Sequence, residues 1–160
     1  MQIQRRRWTL TCCVSAMAGL TGWAKAARGA TAHASAGSTE PAAAPPSAQA
    51  LRLAMTRALM MRDQARRAGD QAYGAAVLCD ERVVGEAPSR VVTRRDPDAH
   101  AEREALRDAQ RRLGRADLSG CVLVSSSRPC RLCEDAAAQA RIARMIHGET
   151  LLDAGPPGTR

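Results

Sequence analysis

Asp96-Pro97-Asp98-Ala99-His100-Ala101-Glu102 and, further along, Pro129-Cys130-Arg131-Leu132-Cys133-Glu134-Asp135-Ala136-Ala137 are the stretches that decide how this chain folds. Each opens a predicted helix. His100 and Glu102 place an imidazole and a carboxylate two residues apart, and Cys130 and Cys133 place two thiols on one helical turn, pointing the same way. The positive end of the helix favours the thiolate that a metal requires. One histidine and two cysteines offer zinc three protein ligands and leave the fourth tetrahedral position for water, as in catalytic sites. Water on zinc titrates near neutrality, so Glu102, kept off the metal, can take its proton. A structural zinc would want a fourth protein ligand, and the candidates for it are poor. His147 closes a predicted edge strand, and His33 lies near the amino terminus. Cys79 and Cys121 fall in predicted core strands, where they read as buried thiols packing like small hydrophobes.

Outward from these stretches the chain alternates helices and strands. Leu51, Ala54, Met55, Ala58, Leu59 and Met61 recur at helical spacing, predicting an amphipathic helix from Gln49 to about Gly69. Tyr73 to Cys79 and Arg82 to Gly85 form a predicted hairpin around Asp80-Glu81. A helix follows over His100–Leu113, entered through the acid-rich Asp96-Pro97-Asp98 that suits a positive helix end. Cys121–Ser125 reads as a buried strand, Cys130–Ala140 as a helix, and Ile142–His147 as a last strand closed by Gly148.

At 160 residues and 45% apolar, the chain has room for one domain and some additional length. The net charge of +8 is unevenly placed. Five of the 24 basic residues and none of the acids lie in residues 1–34, leaving 19 basic against 16 acidic residues, a net of +3, for the rest. Both tryptophans lie there too, so Tyr73 is the only aromatic beyond it and the usual base-stacking platforms are missing. That counts against nucleic acid as a partner. Arg5-Arg6-Arg7-Trp8-Thr9-Leu10 precedes a moderately apolar stretch and small-x-small sites such as Ala32-His33-Ala34, too short and interrupted for a stable membrane anchor. Residues 1–34 resemble a twin-arginine export signal, which implies a periplasmic or secreted protein. A basic extension on a cytoplasmic protein is the alternative. Residues 35–48, rich in Ala, Pro and Ser, read as a flexible linker, and residues 49–160 as the folded domain.

H-x-E followed by P-C-x-x-C is the signature of the zinc deaminases. With Gly74-Ala75-Ala76-Val77-Leu78 and Val83-Val84-Gly85-Glu86, it makes the chain from about Gly74 to Gly148 resemble the cytidine deaminase-like superfamily, in the branch of tRNA adenosine deaminases and bacterial guanine or cytosine deaminases. The resemblance implies an α/β fold of three layers, α/β/α, around a central mixed sheet, and because the chain ends soon after Gly148, where tRNA-acting relatives continue into a further helix, that fold is expected to be shortened at its carboxy-terminal end. It also implies a homodimer, with His100, Cys130 and Cys133 as Zn2+ ligands and Glu102 as the catalytic proton shuttle. The implied activity is hydrolytic deamination at a C–N bond of a cyclic amidine: a small base or nucleoside of guanine, cytosine or adenine type. A tRNA adenosine deaminase and a catalytically silent zinc-binding module are the alternatives, and the intact Glu102 speaks against the second.

Two positions depart from the family pattern. Ser89 stands where relatives acting on tRNA usually carry an asparagine that helps hold the base and its sugar. Arg128 stands where they carry glutamate, before the proline of P-C-x-x-C. The reversed charge suits an anionic or oxygen-rich substrate edge, or it pairs with an acid at a subunit boundary, the slightly favoured reading.

Overall fold

The computed structural model describes residues 45–158. The predicted export signal and the predicted linker as far as residue 44 lie outside the described residues. The element order is α1 (Ala48–Arg67), β1 (Gly74–Cys79), β2 (Arg82–Pro88), α2 (Ala101–Leu113), β3 (Val122–Ser125), α3 (Arg131–Gln139), β4 (Arg144–His147) and β5 (Leu152–Gly155). The strands form one mixed sheet in the order β2-β1-β3-β4-β5, with only β3 and β4 parallel.

Strand alternation produces the three layers, because successive side chains leave opposite faces. Ala76 and Leu78 of β1, Val122 and Val124 of β3 and Ile146 of β4 pack with Ala54, Met55 and Ala58 of α1. Ala75 and Val77, Leu123 and Met145 face the other way, onto Ala105, Leu106 and Ala109 of α2 and Ala137 of α3. Every residue of β1 is buried, which is why its sequence is a continuous apolar run rather than an alternating one. The expected α/β/α architecture is therefore the one observed.

Helix α1 starts slightly before its apolar spacing indicates. The Ser47 Oγ accepts a hydrogen bond from the Ala50 N–H at 3.1 Å, capping the first turn, and the Ser47 N–H donates to Glu81 at 2.8 Å. The folded part thus begins two residues ahead of Gln49. Glu81 reaches this cap from a tight hairpin turn in which Asp80 and Glu81 both have positive φ, 47° and 64°. Strand β2 runs to Pro88 rather than Gly85, since Glu86, Ala87 and Pro88 continue the register opposite Ala76, Ala75 and Gly74. The sheet also extends past His147, where the sequence reading closes it: the chain turns back and β5 pairs antiparallel with β4.

Cys79 and Cys121 overturn the expectation of buried free thiols, because they form a disulfide. The antiparallel register pairs Leu78 with Val122, so one step further Cys79 and Cys121 face each other across β1 and β3, with Cα atoms 4.4 Å apart.

Candidate active site

The amino-terminal ends of α2 and α3 bring the two motif stretches together. His100 is the N-cap of α2 and Cys130 the N-cap of α3, both in extended backbone conformation with no side-chain capping bond, so the imidazole and the thiol are free to face each other. Cys133 sits one turn inside α3, its N–H bonded to the Cys130 carbonyl at 3.0 Å. His100 Nδ1 lies 3.5 Å from Cys130 Sγ and 3.5 Å from Cys133 Sγ, and the two sulfurs are 3.6 Å apart. Among the described residues these three make the one cluster of metal-ligating side chains, and His147 stands outside it on β4.

The triangle has the dimensions of a tetrahedral zinc face. Bonds of about 2.3 Å to sulfur and about 2.0–2.1 Å to nitrogen, set at tetrahedral angles, separate two sulfurs by about 3.8 Å and a sulfur from a nitrogen by about 3.6 Å. Charge balance points the same way. Burial pushes the Cys133 thiol well above its ordinary range, and neighbouring Glu102 and Cys130 add to the effect. A cation held among the three donors offsets the burial and the crowded negative charge.

Glu102 lies in the first turn of α2, 5% exposed, with Oε2 3.5 Å from Cys133 Sγ but outside the ligand cluster. Burial raises its pKa, against hydrogen bonds and the charge of His100 that lower it. A buried carboxyl beside a metal position can accept and return protons.

His100, Glu102 and Cys130 open into a cavity of about 500 Å³ whose other walls include Gln71, Tyr73, Ser89, Ser127 and Arg128. Tyr73, the lone aromatic beyond residue 34, is 45% exposed at this cavity. The sequence reading missed Asp70, which organises one wall. Asp70 accepts hydrogen bonds from the Ser89 hydroxyl at 2.9 Å, the N–H groups of Gln71, Val92 and Thr93 at 2.8, 3.1 and 2.8 Å, and the Thr93 hydroxyl at 2.9 Å. Burial alone would raise this carboxyl, but the bonds from Thr93, Gln71 and Ser89 bring it down to about 2. In the sequence Asp70 follows Gly69 and looks like any turn residue, so no signal marks it.

Residues 48–149 match the family model described as the cytidine and deoxycytidylate deaminase zinc-binding region. The chain belongs to this deaminase family. Guanine deaminase of Bacillus subtilis is 35% identical over 86 residues, which cover 54% of this chain and 55% of that one. The tRNA(Ile)-lysidine synthase of Deinococcus radiodurans is 40% identical over 114 residues, 69% of this chain but 19% of that one. The chain thus spans little more than half of one curated relative and a fifth of the other. A solved structure from work on A-to-I editing by tRNA:A34 deaminases at the wobble position superposes with a TM-score of 0.58 at 32% identity, covering 59% of this chain and 73% of that one. The family match takes in all four motif residues, His100, Glu102, Cys130 and Cys133, and the likeness in fold agrees with the three layers described above.

Proposed function

We propose that this deaminase-family chain is a zinc-dependent hydrolase that replaces the amino group of a nucleobase or nucleoside with oxygen, releasing ammonia. The observation that carries the reading is the triangle of His100 Nδ1, Cys130 Sγ and Cys133 Sγ, with the Glu102 carboxylate beside it at the floor of an open cavity. Zinc in this donor set supplies Lewis acidity and acidifies a water molecule.

The chain's own groups do the rest. His100, Cys130 and Cys133 fix the position at which water meets the ring. Glu102 accepts the proton that water gives up, then returns protons to a ring nitrogen and to the departing amine, so that the ring amidine and water become a ring lactam and ammonia without any redox change. The cavity wall held by Asp70 and Ser89 orients the ring. Screening ammonia release from the zinc-loaded protein over guanine, cytosine, adenine and their nucleosides tests the reading: turnover of at least one is expected, and none with any of them would overturn it. The likeness to the tRNA-acting structure favours inosine formation in a tRNA anticodon stem-loop as the second reading, and the same assay run on that RNA separates the two.

Export to an oxidising compartment belongs to the same proposal. It is supported by the twin-arginine-like stretch Arg5-Arg6-Arg7 and by the Cys79–Cys121 disulfide, a bond at home outside the reducing cytoplasm. A homodimer is supported by Leu132, 55% exposed between the two cysteines of the site, and sedimentation of the purified chain reads it directly.

A further inference from the structure

Among the charged groups of the cavity, Arg128 is the one left uncommitted. The arginines nearest the site on α2 and α3 are spoken for: Arg103 pairs with Asp98, and Arg131 with Asp135 at 3.2 Å. Arg128 lines the cavity, is exposed, and meets no acid among the described residues. Gln71 and Ser127 also line the cavity, and no described residue takes up their side-chain donors. Three donors, one of them a guanidinium, thus line one cavity while the acid on its floor, Glu102, is occupied with the motif residues. At about 500 Å³ the cavity lies within the range of roughly 300–1,000 Å³ that takes whole drug-sized ligands, which leaves room for a substituent beyond the heterocycle.

We propose that Arg128, with Gln71 and Ser127, forms a subsite for an anionic substituent of the substrate, making this chain selective for amino-heterocycles that carry a phosphate or carboxylate. A guanidinium matches either group through two parallel N–H donors, a geometry that lysine does not reproduce. Arg128 is a specificity residue: it selects what enters and takes no part in the proton transfers. The proposal rests on the deaminase reading, and its test is arranged so that each can fail alone.

Binding to the full-length, zinc-loaded Glu102→Gln protein is measured by calorimetry, so that turnover is not needed. Matched pairs are cytidine against cytidine monophosphate, guanosine against guanosine monophosphate, and cytosine against 5-carboxycytosine. The anionic member is expected to bind roughly tenfold tighter or more, the preference to shrink with added salt, and Arg128→Ala to abolish it. Preference in the monophosphate pairs assigns the subsite to a phosphate on the sugar, and preference in the carboxycytosine pair to a carboxylate on the ring. Equal affinity within every pair, or a preference that survives Arg128→Glu, overturns the subsite even if ammonia is released from neutral substrates. Anion preference without ammonia release by the wild type keeps the subsite and overturns the deaminase reading. If Arg128→Glu dissociates a dimer while the parent binds both members of every pair equally, Arg128 is an interface residue and the proposal fails.

Discussion

The Ser89 hydroxyl donates to Asp70 Oδ1 at 2.9 Å, and this bond ties the loop after α1 to the loop after β2. Ser89 is 2% exposed and its donor is committed to Asp70, so Ser89 holds a wall of the cavity in place.

Asp70 makes that clasp dependent on pH. Its folded pKa, about 2, lies below its ordinary value of 3.8, so its contribution to stability is complete above pH 4 and disappears as the pH falls through about 2. Urea unfolding of Asp70→Asn at neutral pH should show a lower midpoint than the parent, and the gap should close between pH 4 and pH 2. A gap that stays constant over that window would mean that the carboxylate charge adds nothing.

The Cys79–Cys121 bond closes a loop with a sequence separation of 42 residues. Loop-closure entropy of that size is worth about 4 kcal/mol in the chain-entropy model, with measured values commonly lower. The Cys79→Ala/Cys121→Ala protein should unfold at a clearly lower urea concentration than the oxidised parent while keeping its zinc, because the bond lies on β1 and β3, away from the metal-ligating cluster. Unchanged stability would show that the bond adds nothing to the stability of the folded chain.

Location is tested through residues 1–34. With residues 1–34 fused to a reporter that must fold before export, Arg5→Lys/Arg6→Lys and Arg6→Lys/Arg7→Lys double changes should each be compared with the parent. Loss of periplasmic reporter in either is expected. Export unaffected by both excludes the twin-arginine route, and a reporter that stays in the cytoplasm with the parent sequence favours a basic extension.

Much of the architecture was legible because each element carries its own periodic signal. The apolar run Gly74–Cys79, the acid-rich entry to α2 and the P-C-x-x-C start of α3 all depend on residues close together in sequence. The four motif residues were legible for the same reason, since two short spacings are enough to mark them. What escaped depends on pairing between distant segments. The Cys79–Cys121 bond follows from the β1–β3 register, and the Asp70 clasp from two loops meeting at one wall of the cavity. Strand β5 escaped because Leu152–Gly155, mostly outside the core and only four residues long, has little apolar pattern of its own.

Metal content separates the ligands from their surroundings. His100→Ala and Cys133→Ala each remove one corner of the triangle, so each purified variant should retain far less zinc than the parent, which should hold one ion per chain. Undiminished zinc in either would remove that residue from the ligand set.

The most direct test of the account is ammonia release by zinc-loaded Glu102→Gln protein, set beside the parent on whichever base or nucleoside the parent deaminates. Glu102 lies outside the ligand cluster yet 3.5 Å from Cys133 Sγ, so the change should leave metal and fold in place and remove only the proton carrier. The account predicts full zinc occupancy with turnover reduced by roughly two to four orders of magnitude, the range typical of general acid–base groups. Turnover close to the parent's at equal zinc content would contradict it, because the proton would then travel through some other group.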